Sequence, residues 1–437
     1  MEWKKVKLKS IFNQYRIEHR VQDDIVYKQV TISKHTGVSF RGEKLGKEIG
    51  RKRQFVIDLD LHPHTLMFVR QGVQDGSIGF APLEVNKCIV TENMPMFSVE
   101  DVDVEFIKSY IESSLFKDIL NNLSTKGAAQ KSIHEKELLE VEILIPKSLE
   151  EQKAFGKLIK DSTKNSNNIS TEITHQLDLI KNLRQAFLRE AMQGVLVSNE
   201  TNDNKTGADL LAEIQAKKAQ LVKEKKIKKP KPLAPITEEE LPFDIPENWT
   251  WCRLGELGET FTGSTPPTNN KDFFGGNIPF IKPGDIYYDN LNYENETLTE
   301  LGLEKGTRIP KNSLMMVCIG GSIGKCFYTD REVSCNQQIN CVTPISFNIK
   351  LLTLFCQSNT FYNKIWEISA GGATPIVNRG KWERILIPLP PLEIQERIVA
   401  KLDELMRYCH TLEEQVKQSQ QTNALLLQQV LREALGA

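Results

Sequence analysis

Apolar positions along this chain fall into two stretches of short runs, and each stretch is followed by a long segment of heptad spacing. In residues 1–147 the runs are Phe55-Val56-Ile57, Thr65-Leu66-Met67-Phe68-Val69 and Val141-Glu142-Ile143-Leu144-Ile145. In residues 248–390 they are Ile278-Pro279-Phe280-Ile281, Leu314 to Ile319 and Ile385-Leu386-Ile387. Short aliphatic and aromatic runs bounded by Gly, Pro and Asn predict strands, so both stretches read as mixed, strand-rich globular domains. Each closes on proline, at Pro146 or at Pro388 to Pro391, and no further proline occurs before Gly194 or Gly436. Proline before the first turn and glycine after the last predict one long helix per half. In the second helix Ile398, Leu402, Leu405, Cys409, Leu412 and Val416 follow the alternating four-and-three spacing of a coiled-coil seam. The first carries a less regular version at Ile169, Ile173, Leu177, Ile180, Arg184 and Phe187.

The two halves are copies. Leu149-Glu150-Glu151-Gln152 recurs as Leu392-Glu393-Ile394-Gln395, and Leu188-Arg189-Glu190-Ala191 as Leu431-Arg432-Glu433-Ala434, both displaced by 243 residues. Upstream, Gly76-Ser77-Ile78-Gly79 matches Gly321-Ser322-Ile323-Gly324 at 245, and Trp3 matches Trp251 at 248. A displacement that drifts without jumping marks an internal duplication with loop insertions. At 1.5 Å per residue, about 45 helical residues extend roughly 67 Å, longer than a small domain is wide. Such helices must pack on each other or on a partner, and their matched length suits a rigid spacer. The expected division is 1–147 globular, 148–196 helix, 197–247 linker with a Lys-rich helix, 248–390 globular and 391–437 helix. Within the linker, residues 198–207 are polar and expected to be mobile. The lysines between Lys217 and Lys231 fit either phosphate contacts or a solvated helix face.

Composition changes this picture little. The 437 residues carry a formal net charge of −1, so any polyanion-binding surface must be local. No apolar run approaches a membrane span and no signal-type stretch follows Met1, which places the chain in the cytoplasm. The eight cysteines are never two residues apart, which argues against a zinc ribbon and for small buried hydrophobes in a reducing compartment.

Catalytic motifs are missing. Ile319-Gly320-Gly321-Ser322-Ile323-Gly324-Lys325-Cys326 lacks the first glycine and the hydroxyl of a phosphate-binding loop, and reads as a tight turn needed by both copies. Glu151-Gln152-Lys153 is a helix start rather than a nuclease site, and His62-Pro63-His64 has no third ligand nearby. What the chain offers instead is local clusters suited to phosphates and base edges. Arg41, Lys44, Lys47, Arg51, Lys52 and Arg53 crowd one short stretch of the first half. In the second, Thr262, Ser264 and Thr265, with Asn269, Asn270 and Lys271, and separately the stretch Ser334 to Asn340 with Asn336, Gln337 and Gln338, supply short donors and acceptors.

Together these residues resemble the DNA specificity (S) subunit of type I restriction-modification systems. The resemblance is carried by Ile387-Pro388-Leu389-Pro390-Pro391-Leu392-Glu393-Ile394-Gln395-Glu396-Arg397-Ile398-Val399 after Gly371-Gly372-Ala373-Thr374, and by the weaker first copy Ile145-Pro146-Lys147-Ser148-Leu149-Glu150-Glu151-Gln152. Leu210-Leu211-Ala212-Glu213-Ile214 in the linker, Trp251-Cys252-Arg253-Leu254-Gly255-Glu256-Leu257 and Asn277-Ile278-Pro279-Phe280-Ile281 add to it. The first half has no such opening after Val6-Lys7-Leu8. The resemblance implies an α+β fold of two target recognition domains, each followed by a long helix, the helices packed as an antiparallel coiled coil with pseudo-two-fold symmetry. It implies double-stranded DNA as partner, two methyltransferase (M) subunits docked on the helices, and two restriction (R) subunits in the nuclease complex. This chain would be non-catalytic and bind no cofactor, with S-adenosylmethionine, ATP and Mg on the partner subunits. Two other readings fit the residues: a coiled-coil scaffold that never touches DNA, and the specificity module of a single-polypeptide methyltransferase-nuclease.

Overall fold

The repeat in the sequence is a repeat of topology. The computed structural model describes residues 2–123, 132–372 and 374–435, and the chain divides into a first unit, Met1–His175 with Val416–Ala437, and a second, Gln176–Gln415. Ala373 and Gly436 lie outside the described residues. In the first unit an antiparallel sheet runs in the order Phe12–Tyr15, Met96–Val99, Leu66–Phe68, Ile78–Phe80. In the second the order is Gly258–Thr262, Ile339–Pro344, Leu314–Val317, Cys326–Tyr328. Both place the fourth strand between the first and the second. The duplicated Gly-Ser-Ile-Gly lies where the second strand turns into the third, a strand-to-strand connection rather than the strand-to-helix context of a phosphate loop.

Strand periodicity divides each sheet's side chains between two cores. Leu66 and Phe68 pack with Phe106, Ile107 and Phe116 of the following helices, while Met67 packs on the opposite face with Val30, Ile32 and Val90. In the second unit Leu314 and Met316 join Leu351, Phe355 and Trp382, while Met315 and Val317 join Ile281, Ile339 and Cys341. The opposite face is where the copies differ. The first unit covers it with five strands, in the order Glu18–Arg20, Arg53–Val56, Ile89–Val90, Val26–Ser33, Gly37–Leu45, and the second with three, Thr297–Leu298, Phe274–Ile281, Ser334–Cys335. All eight cysteines are free and buried, and burial pushes the Cys318 thiol up to about 12 against the pull of hydrogen bonds from Asn340.

Each half passes into its helix through the same junction. Trp3 pairs with Pro146 where the strands Trp3–Lys7 and Glu142–Pro146 meet, and Trp251 pairs with Pro388 between Thr250–Arg253 and Leu386–Leu389. Three residues past the end of the last strand the helices Leu149–Met192 and Leu392–Leu435 begin, each 44 residues long. In their first turns stand Gln152 and Gln395, with 1% and 0% of their surface exposed. The Gln152 amide donates to the Pro146 carbonyl at 2.8 Å and its oxygen accepts the Asp103 N–H at 2.8 Å. Gln395 repeats this, donating to the Pro390 carbonyl at 2.9 Å and accepting the Asn348 N–H at 2.8 Å. Asp103 and Asn348 are themselves the N-caps of the helices Val104–Glu112 and Ile349–Cys356. One buried amide thus ties the strand exit, the long helix and a core helix together in each copy.

The long helices pack antiparallel. In the first unit the start of the first helix lies on the end of the second, with Phe155 and Ile159 beside Leu427 and Leu431. In the second unit Phe187, Leu188, Ala191 and Met192 share a core with Ile398, Leu402 and Met406. Among the expected seam residues, Ile173, Ile180, Ile398, Leu402 and Cys409 are buried and Leu177, Leu405 and Val416 are half-buried. Ile169 and Leu412 are instead 48% and 43% exposed. Their neighbours turn inward in their place. Asn423 donates to the Ser166 carbonyl at 3.0 Å and the Ser170 hydroxyl at 3.3 Å, and Arg184 pairs with Glu413 at 2.7 Å. Apolar spacing alone misplaces the seam by one residue where polar partners occupy it.

The first long helix ends at Gly194 (φ +72), whose missing Cβ leaves room for Pro246. The polar segment beyond it is fixed, contrary to expectation. Asn199 donates to the Gly194 carbonyl at 2.6 Å and accepts from the Trp249 indole at 3.0 Å, and Asn202 donates to Glu393 at 2.6 Å. After the capped linker helix Gly207–Lys223, the proline-punctuated stretch is strapped down by Arg253. Its guanidinium, only 4% exposed as a residue, donates to the carbonyls of Ala234 at 2.8 Å, Pro235 at 3.0 Å and Arg384 at 2.8 Å, and pairs with Glu240 at 2.9 Å.

Replacing Gln395 with leucine orphans a buried carbonyl and a buried N–H, each costing about 1–3 kcal/mol. Gln395→Leu is therefore expected to destabilise the second unit by roughly 2–4 kcal/mol. Four of the five tryptophans (Trp249, Trp251, Trp366, Trp382) lie in that unit, so urea unfolding followed by tryptophan fluorescence reads it. A midpoint equal to that of the surface variant Glu396→Ala would remove the junction from its role.

Candidate nucleic-acid interface

In the first unit the basic cluster sits on the outer sheet. Arg41 and Lys44 project from Gly37–Leu45, which forms one edge of the five strands, Lys47 from the short turn Gly46–Glu48, and Arg51 to Arg53 from the entry to Arg53–Val56. Two of the six are occupied. Lys52 pairs with Asp23 and donates to the Gly46 carbonyl at 2.8 Å, holding the turn against the sheet. Arg53 pairs with Glu18. Among the described residues Arg41, Lys44, Lys47 and Arg51 have no ion pair and are exposed. The strand register adds a residue that sequence spacing hides, because Arg20 stands directly opposite Arg53. His62 stacks on Tyr15 with ring centroids 3.9 Å apart, a packing contact that accounts for this histidine.

In the second unit, strand pairing joins two clusters that lie more than seventy residues apart. Thr262 is opposite Asn340 in the register of the edge strand Gly258–Thr262, and the Thr262 hydroxyl donates to the Asn340 side chain at 2.9 Å. Thr265 donates to Gln337 at 2.8 Å, Asn336 to Gln338 at 3.0 Å, and the hydroxyls of Ser264 and Thr307 lie 3.0 Å apart. Gly263 makes this possible. A Cβ there would run into the carbonyl oxygens of Cys335 and Asn336, so only glycine lets the two segments close. Thr307 completes the cluster and was not among the expected residues, while strand register shows how Asn340 meets Thr262. Asn269, Asn270 and Lys271 remain apart on an exposed loop, where Asn270 caps its own short turn by accepting the Asp272 N–H at 3.0 Å. Among the described residues no group of three or more His, Cys, Asp or Glu side chains is placed to hold a metal, and no helix is long and apolar enough to cross a membrane.

Both units thus gather polar side chains at strand edges and turns. Residues 246–420 match the family described as the type I restriction modification DNA specificity domain. This part of the chain thus carries a type I restriction modification DNA specificity domain. The specificity subunit of the type I restriction enzyme EcoAI from Escherichia coli is 34% identical over 264 residues, which is 55% of this chain and 42% of that protein. The EcoEI specificity subunit, also from Escherichia coli, is 28% identical over 278 residues, 58% of this chain and 45% of that protein. These alignments span less than half the length of either relative. Among solved structures, a chain from a type I R-M system studied for complex assembly and conformational transition superposes with a TM-score of 0.72 at 16% identity, covering 99% of this chain and 97% of that one. The HsdS subunit from Thermoanaerobacter tengcongensis gives 0.56 at 17% identity, covering 99% and 96%. At these identities the structural likeness concerns the fold alone: strand-rich domains with two long antiparallel helices.

Gly263→Ala is expected to part the Thr262–Thr265 and Asn336–Asn340 segments. Backbone amides of residues 334–340 should then exchange hydrogen at least tenfold faster, by a loss of about 1.4 kcal/mol or more of local protection. Unchanged exchange there would mean the cluster does not depend on the glycine.

Proposed function

We propose that this chain is the non-catalytic subunit that reads a bipartite DNA site and brings methyltransferase and restriction subunits to it. The observation that carries the reading is the match of residues 246–420 to the DNA specificity family, on a chain whose two halves repeat one topology. Two unlike reading heads on one polypeptide suit an asymmetric split sequence, whereas a symmetric dimer favours a palindrome. In the first head the unpaired Arg41, Lys44, Lys47 and Arg51 engage phosphates. In the second the Thr262–Asn340 cluster turns its exposed members Thr265 and Gln337, whose hydroxyl and amide have the chemistry that reads base edges, to the groove of the duplex. The two 44-residue helices act as spacer and as docking surface for two M subunits, and two R subunits join for cleavage. S-adenosylmethionine, ATP and magnesium belong to those partners, which carry the methyl transfer and the cleavage.

Exchanging residues 1–147 for those of a relative with another specificity should change one half of the methylated sequence and leave the other half and the spacing intact. Single-molecule methylation sequencing of cells carrying the hybrid reads this directly, and alteration of both halves overturns the assignment of one head per half-site. Inserting seven residues between Ile398 and Val416 should abolish assembly with the methyltransferase or change the spacer between half-sites. Unaltered spacing with intact assembly rules out the helices as the ruler.

A further inference from the structure

A groove of about 810 Å³ runs along the outer edge of strand Gly258–Thr262 in the second unit. One wall is the extended linker, which contributes Lys228, Lys229 and Lys231; the other includes Arg379 and the strand itself. The linker is held there from both sides. Upstream, the Lys218 ammonium donates to the Gly255 carbonyl at 2.6 Å. Downstream, Arg253 binds the carbonyls of Ala234 and Pro235. Between the two anchors Pro230 and Pro232 restrict the backbone further, so the three lysines stand on a fixed strut rather than a free tail.

The other charges of the groove are largely committed. Glu383 accepts from the Thr260 hydroxyl at 2.5 Å and pairs with Arg379 at 3.2 Å. Burial holds the Glu259 carboxyl above its ordinary range, with Lys218 and Lys228 pulling the other way. Lys228, Lys229 and Lys231 are exposed and, among the described residues, have no hydrogen bond or ion pair. Three exposed ammonium groups line one wall, only Lys228 among them feeling the Glu259 carboxylate, and they attract a polyanion because neutralising phosphates releases condensed counterions. The groove is also continuous with the polar cluster, since Thr262 and Thr307 line it and belong to that cluster.

We propose that this groove carries the sugar-phosphate backbone of duplex DNA, with Lys228, Lys229 and Lys231 on successive phosphates beside the Thr262–Asn340 cluster. This deepens the DNA-reading role proposed above and rests on it. The linker between the copies then takes part in binding as well as joining them.

The test is fluorescence-anisotropy titration of the full chain with a labelled duplex of arbitrary sequence across a sodium chloride series. Each phosphate contact contributes about 0.9 to the slope of log affinity against log salt. The triple variant Lys228→Ala/Lys229→Ala/Lys231→Ala should lose roughly 2 to 3 from that slope, while the same three positions changed to arginine should keep it. Lys223→Ala/Lys226→Ala, which removes linker charge outside the groove, should leave it unchanged. An unaltered slope in the triple alanine variant, or an equal loss in the Lys223 and Lys226 variant, overturns the proposal while leaving the DNA-reading role in place. Absence of any duplex binding by the unmodified chain at low salt overturns both.

Discussion

Everything in this chain hangs on how a strand-rich half is joined to a long helix, and a single glutamine makes that joint twice. Gln152 and Gln395 each occupy a buried position where an amide must satisfy a strand-exit carbonyl on one side and a helix N-cap on the other. A buried side chain with both donor and acceptor used has one orientation, because any rotation leaves partners unpaired in a medium that does not replace them. The angle between each sheet and its helix is therefore fixed by hydrogen-bond direction, which apolar packing, being non-directional, does less sharply. Glutamine suits the place because its reach and its two-faced amide match one carbonyl and one N–H at once.

The helices show the same division of labour between greasy and polar contacts. Their buried aliphatic positions, Ile173, Ile180, Ile398 and Leu402, make packing favourable. They say little about register, since a shift by a heptad would bury similar groups. Arg184 with Glu413 and Asn423 with Ser166 and Ser170 do distinguish registers, because a shifted coil would leave them facing aliphatic neighbours.

Much of this is legible in the sequence. The repeat, the proline-bounded helices of equal length, the core strands and the absence of catalytic motifs follow from spacing and composition, since those are properties of neighbouring residues. What escaped depends on residues brought together from afar. The seam shifts at Ile169 and Leu412 because polar partners on the other helix take the interior, and apolar periodicity carries no information about those partners. Arg20 joins the basic cluster only through strand register, and Thr262 meets Asn340 for the same reason. The polar segment after Gly194 resembles a mobile linker in composition, yet Asn199 and Asn202 are spent on the Gly194 carbonyl, Trp249 and Glu393. Composition reports the hydrogen-bonding capacity of a segment and not where it is used.

The ion pair in the coil carries one more implication. Displaced by 243 residues, Arg184 falls on Leu427 and Glu413 falls on Ser170, so neither copy holds both members of the pair. Two identical chains meeting through such a coil must be self-complementary, each surface serving as its own mate. Joined in one polypeptide, the copies are released from that requirement, and each has come to specify the other rather than itself. The coil is in effect a heterodimer interface written within a single chain, and a half-length chain made from either copy would meet its twin with the charged partner missing.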